Sequence, residues 1–377
     1  MNYGKKSVKM HKKLKGKLSV KSKVALNNKT DLSIAYTPGV AEPCRLIHKK
    51  KKRVYDYTIK SNMVAVVTDG SAVLGLGNIG AEASIPVMEG KAVLFKKFAD
   101  VDAFPIALAT QNVDEIVETV KRIAPVFGAI NLEDISAPRC FEVEERLRKE
   151  LDIPVFHDDQ HGTAIVTLAG LINALKLAKK KIFEVKIVLS GAGSAGIAIT
   201  KLLLSFGAKN IILCDTSGII YSGRKKNMNF AKKEIAMITN KNKLKGTMSD
   251  AVKDSDVFIG ISAPKTLTKK MVLSMNDKPI IFAMANPVPE IMPSDAKKAG
   301  AFIIATGRSD FSNQINNVLA FPGVLKGLLY VRKQITSKMS IAVAKAIAKT
   351  IKPTKNKIIP LPFDKRVVEN VFKAMKK

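Results

Sequence analysis

Two pairs of adjacent acidic residues stand out in a chain that is otherwise strongly basic. Glu133 and Asp134 lie in the run "NLEDI", and Asp158 and Asp159 lie in "FHDDQHGTA". Each pair follows a short apolar stretch, while the sequence contains 63 Lys and Arg against 32 Asp and Glu, a formal net charge of +31. Neighbouring carboxylates repel each other and are costly to bury without compensation. A divalent cation would compensate them, and oxygen ligands of this kind suit Mg²⁺ or Mn²⁺.

The residues alone leave a second interpretation of these doublets open. Acids of this kind also serve as helix caps or as surface partners of abundant lysines. Successive side chains of a strand point to opposite faces, so only one member of each pair would reach a shared ion unless the strand ends there. The pattern therefore indicates a candidate cation site, made of the first doublet and one member of the second, without naming a reaction.

A glycine-rich turn is the second chemical signal. The segment "GAGSAG" has the glycine spacing of dinucleotide-binding turns, follows the strand-like run "KIVLS" and opens an amphipathic helix. Amide groups at such a helix start can bind phosphate. An acid ends the next predicted strand, where it could accept a hydrogen bond from a ribose hydroxyl. The predicted coenzyme contacts are Gly191, Ala192, Gly193, Ser194, Ala195, Gly196 and Asp215.

The choice between NAD and NADP stays open at this point. Asp215 favours NAD, because an acid there repels a ribose phosphate. The nearby run Arg224, Lys225 and Lys226 could meet that phosphate if the chain folds back. A separate "GLGNIG", residues 75–80, has the same glycine spacing but lacks an acid-ended strand after it, and is interpreted as a structural turn or as a loop near the active site.

From about Ser61 onward, short apolar runs alternate with helical patterns. These are the elements that would position the residues described above. This rhythm predicts parallel sheets covered by helices. The expected fold class is α/β with two domains. An N-terminal α/β domain with a parallel sheet and the catalytic and metal residues would span residues 1–161. A Rossmann-type dinucleotide-binding domain with C-terminal helices would span residues 162–377.

Composition narrows the class of protein. The chain is 46% hydrophobic and 25% charged, as in globular proteins. Its three cysteines are widely spaced and form no disulfide framework, and it lacks both an apolar leader and an apolar run of membrane-spanning length, so a cytoplasmic location without membrane association is expected. Lysines are scattered and aromatic residues make up only 6%, with no Trp, which argues against nucleic-acid binding.

A set of motifs in fixed order resembles the malic enzyme family, in its short bacterial form. The segments run from about Asp31 to Gly323 and are "AYTPGVAEPC", "VTDGSAVLGLGNIG", "MEGKAVLFKKFADVDAFPI", "NLEDI", "FHDDQHGTA", "GAGSAG", "ANPVPE" and "NNVLAFPG". The resemblance implies oxidative decarboxylation of L-malate to pyruvate and carbon dioxide, with NAD or NADP as coenzyme and Mg²⁺ or Mn²⁺ as metal. It also implies a homodimer or larger homo-oligomer, with the N-terminal region as the expected interface.

The resemblance further implies catalytic roles for three residues. Tyr36 of "AYTPG" corresponds to the general acid, and Lys91 of "EGKAVLF" corresponds to the general base. Asp158 corresponds to a carboxylate that lies near the catalytic lysine. A lysine acts as a base only if its pKa is lowered toward neutrality, and burial and a nearby cation would favour that shift.

The resemblance also implies residues that would bind the metal, the substrate and the nicotinamide. The metal ligands correspond to Glu133, Asp134 and Asp159. Asn286 of "ANPVP" and Asn317 of "NNVLAFPG" correspond to residues at the substrate and the nicotinamide, with Asn286 also counted among the coenzyme contacts.

One position departs from the larger family members, which carry an Arg that grips a substrate carboxylate. Ala72 stands at that place, so the residue that replaces this clamp is unassigned. Two alternative functions remain. The same scaffold could convert malate to lactate without releasing reduced coenzyme, or a basic polyanion-binding protein could retain the fold without catalysis.

Overall fold

The computed structural model describes residues 2–73 and 75–376. It contains ten strands, β1 to β10 in chain order: Met63–Thr68, Asp102–Ala107, Ala129–Leu132, Val155–His157, Lys186–Ser190, Asn210–Asp215, Gly218–Ile219, Val257–Gly260, Ile280–Ala283 and Ile303–Thr306. Sixteen α-helices, α1 to α16, accompany them: Tyr3–Leu14, Lys29–Ala35, Ala41–Lys49, Val54–Tyr57, Gly80–Ala99, Val113–Ile123, Arg139–Glu150, Thr163–Ala178, Ser194–Phe206, Phe230–Ile238, Met248–Val252, Lys269–Leu273, Pro293–Lys298, Phe321–Val331, Ser337–Lys349 and Arg366–Met375.

Two sheets organise these elements. The first has the strand order β2-β1-β3-β4 and is parallel throughout. The second has the order β10-β9-β8-β5-β6-β7 and is parallel except for the short edge strand β7. The central strands read as continuous apolar runs, such as "VAVV" in β1, because helices cover both faces of a parallel sheet. The predicted α/β class with a Rossmann-type second unit is confirmed.

Helix α8 packs against α9 and α15, and its apolar residues share the main hydrophobic core with residues of both sheets. A five-residue π-helical turn, 158–162, leads from β4 directly into it. The continuous stretch Asp158–Ala178 is apolar and long enough to cross a membrane, but 72% of its most apolar part is buried inside the protein. Its apolar residues therefore belong to the main hydrophobic core, together with residues of α5, α9 and α14.

The N-terminal arm, residues 2–40, differs from the rest of the chain in having almost no buried surface. Helices α1 and α2 contain no buried residue, and apolar side chains such as Tyr3, Val20 and Ile34 are exposed. The arm is attached to helix α5 near Lys17, whose backbone N–H donates to Glu89 at 3.0 Å and whose Nζ donates to the Pro86 carbonyl at 2.6 Å.

Candidate active site

The two acid doublets meet because the strands that precede them are neighbours. β3 and β4 pair in parallel, with Leu132 opposite His157. Glu133 and Asp158 are the next residues of the two strands, so both doublets begin at the same carboxyl edge of the sheet. Ligand-binding residues of open parallel sheets are found at this edge.

Three of the four acids form one compact group. Oxygens of Glu133, Asp134 and Asp159 all lie within 4.8 Å of one another. Burial raises their pKa values to about 7, 9 and 6, and repulsion from neighbouring carboxylates contributes to each shift. Hard oxygen donors at this spacing, destabilised when ionised together, fit a divalent cation such as Mg²⁺ or Mn²⁺.

Lys91, on helix α5, lies beside this group and is 8% exposed. Its Nζ is 2.6 Å from Asp158 Oδ2 and 2.9 Å from Glu133 Oε1, and it lies 4.2 Å from the centre of the Phe321 ring. Burial by itself would lower the pKa of Lys91, but the two carboxylates outweigh it and the pKa is raised. A general base needs a lowered pKa, and the raised pKa of Lys91 has the opposite direction because its ammonium pairs with both carboxylates.

Asp158 connects the lysine to the short helical turn Asn317–Leu319, which precedes α14. Its Oδ2 also accepts a hydrogen bond from Asn317 Nδ2 at 2.5 Å, while its Oδ1 has no partner in the described structure. Burial raises the pKa of this carboxyl to about 6, although Lys91 opposes the shift. A Cβ at Gly162 would lie 1.9 Å from Asp158 Oδ1, so glycine is required there.

Two further contacts of this cluster were missed by sequence reasoning. Asn131 Nδ2 donates to Glu133 Oε2 at 2.9 Å from a fully buried position on β3. Phe321 provides the ring under the Lys91 ammonium. Both residues lie inside the motifs "NLEDI" and "NNVLAFPG", but their side chains carry no chemical signal that distinguishes them from core residues.

Two of the predicted residues are not joined to this cluster. Tyr36 follows helix α2 directly in the N-terminal arm, is 67% exposed, and its hydroxyl makes no hydrogen bond with a described residue. Asn286 is half-buried on the loop after β9 and forms no hydrogen bond with Lys91 or the acids within residues 2–73 and 75–376. A single chain therefore assembles Lys91, the four acids and Asn317, without the tyrosine.

The segment "GLGNIG" approaches Asn286 from the first sheet. A Cβ at Gly75 would lie 3.7 Å from Pro287 Cδ and 3.8 Å from the Asn286 carbonyl oxygen. Gly80 then begins helix α5, which carries Lys91. This arrangement agrees with the second interpretation of the segment, a loop near the active site.

The glycine turn "GAGSAG" has the geometry that its spacing predicts. A Cβ at Gly191 would lie 2.8 Å from the Ile261 carbonyl, and one at Gly196 would lie 2.0 Å from the Gly191 carbonyl. Gly193 has nothing within 4 Å of its Cβ position, and helix α9 begins at the next residue. The first and third glycines permit close packing, while the second leaves space for a phosphate to approach the backbone.

Asp215 ends β6 as predicted, but its carboxylate is already engaged. Arg224 donates two hydrogen bonds to it, and Lys232 donates from 2.7 Å. Burial would raise the pKa of Asp215, but these two cations outweigh it and lower the pKa. Lys232 was missed in the sequence, whereas Lys225 and Lys226 are exposed. Asp215 therefore stands where the sequence predicts a ribose-binding acid, with its charge paired, and its contact with the coenzyme stays a prediction.

Comparison with known proteins agrees with this geometry. Residues 15–148 match the model "Malic enzyme, N-terminal domain", and residues 160–371 match "Malic enzyme, NAD binding domain". The division at residue 161/162 itself stays a prediction.

Several known proteins are similar to this chain over nearly its whole length. The bifunctional malic/malolactic enzyme of Bacillus subtilis is 60% identical over 98% of this chain and 91% of that protein. The NAD-dependent malic enzyme of Geobacillus stearothermophilus is 54% identical over 96% of this chain and 76% of that protein. The crystal structure of the NAD-dependent malic enzyme of Thermotoga maritima is similar with a TM-score of 0.96, at 49% identity, covering 98% of both chains.

Proposed function

The chain belongs to the malic enzyme family, and from that premise we propose that it catalyses the oxidative decarboxylation of L-malate to pyruvate and carbon dioxide with reduction of NAD. The observation that carries this proposal is the buried contact of Lys91 with Asp158 and Glu133, next to a group of three carboxylates. A base, its positioning carboxylate and a cation site within one cluster are what abstraction of a hydroxyl proton requires.

Glu133, Asp134 and Asp159 are the proposed ligands of Mg²⁺ or Mn²⁺. When bound there, the cation supplies Lewis-acid polarisation of a substrate oxygen. A bound cation would compete with Lys91 for Glu133 and so would remove one of the two carboxylates that raise the pKa of the lysine, while Asp158 would stay paired with it. The burial of Lys91 and the charge of the cation would both favour the neutral amine that a general base needs.

The remaining steps are assigned to side chains of this protein. Lys91 takes the proton of the malate hydroxyl, held in place by Asp158, which Asn317 holds in turn. The glycine turn and Asn286 would hold NAD, which when bound would supply a hydride acceptor. Tyr36 delivers a proton to the methylene carbon after carbon dioxide leaves.

Because Tyr36 is exposed on a poorly buried arm, we place its role within a homodimer. The arm presents apolar side chains to solvent in the single chain, as expected of a surface that another copy covers. We propose that the arm of one subunit lies over the cleft of the other and brings Tyr36 to the lysine there. The free thiols of all three cysteines support a reducing, cytoplasmic location for this enzyme.

A second reaction on the same site has specific support. The relative at 60% identity is named a bifunctional malic/malolactic enzyme. If coenzyme stayed bound after decarboxylation, the reduced nicotinamide could return its hydride to pyruvate and lactate would leave. The two outcomes differ in the release of free NADH.

The test follows absorbance at 340 nm with L-malate and Mn²⁺, in parallel with NAD and NADP, and then assays pyruvate and lactate. The proposal expects NADH and pyruvate in equal amounts, lost with a chelator and in Lys91→Ala. Lys96→Ala, on the same helix but exposed and paired with Asp100, is the matched control and should retain activity. Lactate without free NADH would favour the second reaction, and no product with either coenzyme would contradict both.

A further inference from the structure

Glu290 is a buried carboxylate to which the proposed mechanism assigns no role. It lies in "ANPVPE", four residues after Asn286, and is 0% exposed. No ion pair within the described residues joins it to a cation. Burial raises its pKa, and only backbone N–H groups oppose the shift. A buried acid without a cation is costly, so the contacts that it makes require an explanation.

The two oxygens of Glu290 hold two different strand ends. Oε1 accepts from the Ser262 N–H at 3.0 Å, and Oε2 accepts from the Ala285 N–H at 3.0 Å. Ser262 lies just after β8, and Ala285 lies just after β9 and immediately before Asn286. One carboxylate therefore ties together the two loops at the carboxyl edge of the second sheet.

The same contacts extend to the glycine turn. The Ser262 hydroxyl is 2.8 Å from the hydroxyl of Ser190, the residue before Gly191. A Cβ at Gly191 would lie 2.8 Å from the carbonyl of Ile261, next to Ser262. The loop that Glu290 holds is thus the surface against which the glycine turn packs.

The backbone around Glu290 is shaped to admit this side chain. A Cβ at Gly260, the last residue of β8, would lie 2.3 Å from the Glu290 carboxyl carbon. The Glu290 backbone carbonyl also accepts from the Leu267 N–H at 3.1 Å. Side chain and backbone together fix the path of the chain from β8 to β9.

We infer that Glu290 is a positioning residue for the nicotinamide coenzyme, acting through the strand-end loops that carry Ser262 and Asn286. The inference rests on the proposed function, since it presupposes that the glycine turn binds a dinucleotide. Glutamine has the same shape but a single acceptor oxygen, so Glu290→Gln sets an amide N–H against one of the two backbone donors. The loop that loses its acceptor then moves relative to the glycine turn.

The experiment measures NAD and NADH binding to the full-length protein without malate, by calorimetry and by NADH fluorescence, together with KM values and Tm. Glu290→Gln is expected to raise the Kd and KM for coenzyme about tenfold and to leave the KM for malate within about twofold. Ser262→Ala, which keeps the N–H but loses the hydroxyl contact with Ser190, should weaken coenzyme binding by a smaller factor. Asp295→Asn is the matched control, because this nearby acid pairs on the surface with Lys269.

Glu290→Asp keeps both acceptor oxygens on a shorter side chain and should recover part of the affinity lost in the glutamine variant. An unchanged coenzyme Kd in Glu290→Gln would overturn the inference. Equal losses for malate and coenzyme with a lower Tm would overturn it as well, because they indicate a general structural role. If Glu290→Gln does not fold, an unchanged coenzyme Kd in Ser262→Ala and Glu290→Asp overturns it. Absence of coenzyme binding by the unaltered protein would instead overturn the proposed function, and this inference with it.

Discussion

The carboxyl edges of the two sheets each hold a cluster of charged side chains, and the two clusters have opposite charge balance. In the first sheet, Lys91 faces four carboxyl groups, those of residues 133, 134, 158 and 159. In the second sheet, the single carboxylate of Asp215 faces both Arg224 and Lys232. The first cluster lacks positive charge and the second has an excess of it.

This difference in charge balance makes the two edges suited to ligands of opposite charge. Burial and mutual repulsion raise the pKa values of the acids at the first edge, and a bound cation would offset both effects. The first edge therefore suits a metal ion. The second edge has one more positive charge than Asp215 neutralises, although the remaining N–H groups of Arg224 and Lys232 donate to backbone carbonyls. The net positive charge there favours an anion such as a ribose phosphate near this edge. An acid at the end of the second Rossmann strand does not by itself exclude NADP, because its neighbours determine whether its charge is free.

Removal of Lys91 is the strongest test of the first edge. Lys91→Ala should lower kcat by about a thousandfold, as expected for loss of a general base. The same variant should bind Mn²⁺ at least as tightly as the unaltered protein in calorimetry, because the competing ammonium is gone. A variant that kept activity, or that lost Mn²⁺ binding while remaining folded, would contradict the assignment of separate base and metal residues.

Removal of one charge from the acid group should affect metal binding next most strongly. Asp159→Asn is expected to weaken Mn²⁺ binding by about a hundredfold, a loss that calorimetry would measure. Without metal the variant should have a higher Tm than the unaltered protein, because one repulsive carboxylate is gone. Asp152→Asn, an exposed acid paired loosely with Lys51, serves as the control. Unchanged Mn²⁺ affinity would remove Asp159 from the ligand set.

Lys232 tests the second edge. Lys232→Gln should raise the KM for NADP by about tenfold while the KM for NAD stays within about threefold, because only the 2′-phosphate uses the extra charge. Steady-state kinetics with both coenzymes would measure the ratio. Lys233→Gln, on the next residue of helix α10 and exposed, is the matched comparison. Equal changes for the two coenzymes would show that Lys232 serves only to hold Asp215.

The smallest expected effect is on stability as a function of pH. The folded-state pKa values of Glu133 and Asp134, about 7 and 9, lie above the ordinary range near 4. The folded protein therefore binds more protons than the unfolded chain, and this contribution to stability is lost as pH rises through 7 to 9. In EDTA, Tm should fall by about 2 °C or more between pH 6 and pH 8.5, and saturating Mn²⁺ should reduce the fall. An equal slope with and without Mn²⁺ would contradict the prediction.

Much of the fold was readable from local patterns. The apolar runs predicted the central strands, because strands covered by helices on both faces need apolar residues throughout. The spacing of the glycines at 191, 193 and 196 predicted their roles, because close packing and phosphate access are both decided within one strand–turn–helix unit. The doublets also marked strand ends correctly.

The local sequence pattern could not predict which charged residues pair with each other. Lys91 is one of many lysines, and only the packing of α5 against the first sheet sets it beside two acids. The two carboxylates beside it raise its pKa against the effect of burial, and their number could not be predicted because they come from both doublets. The pairing of Asp215 with Lys232 could not be predicted for the same reason, since Lys232 approaches it from the following helix.

The sequence by itself thus determined which short elements form and which residues stand at their ends, because period, turn chemistry and glycine spacing act over a few residues. The tertiary structure alone decided that Leu132 lies opposite His157, that Lys91 reaches both doublets, and that Tyr36 remains outside the cluster of its own chain. Strand register and helix packing are set by contacts between distant parts of the chain, and the charge balance of a buried site follows from those contacts.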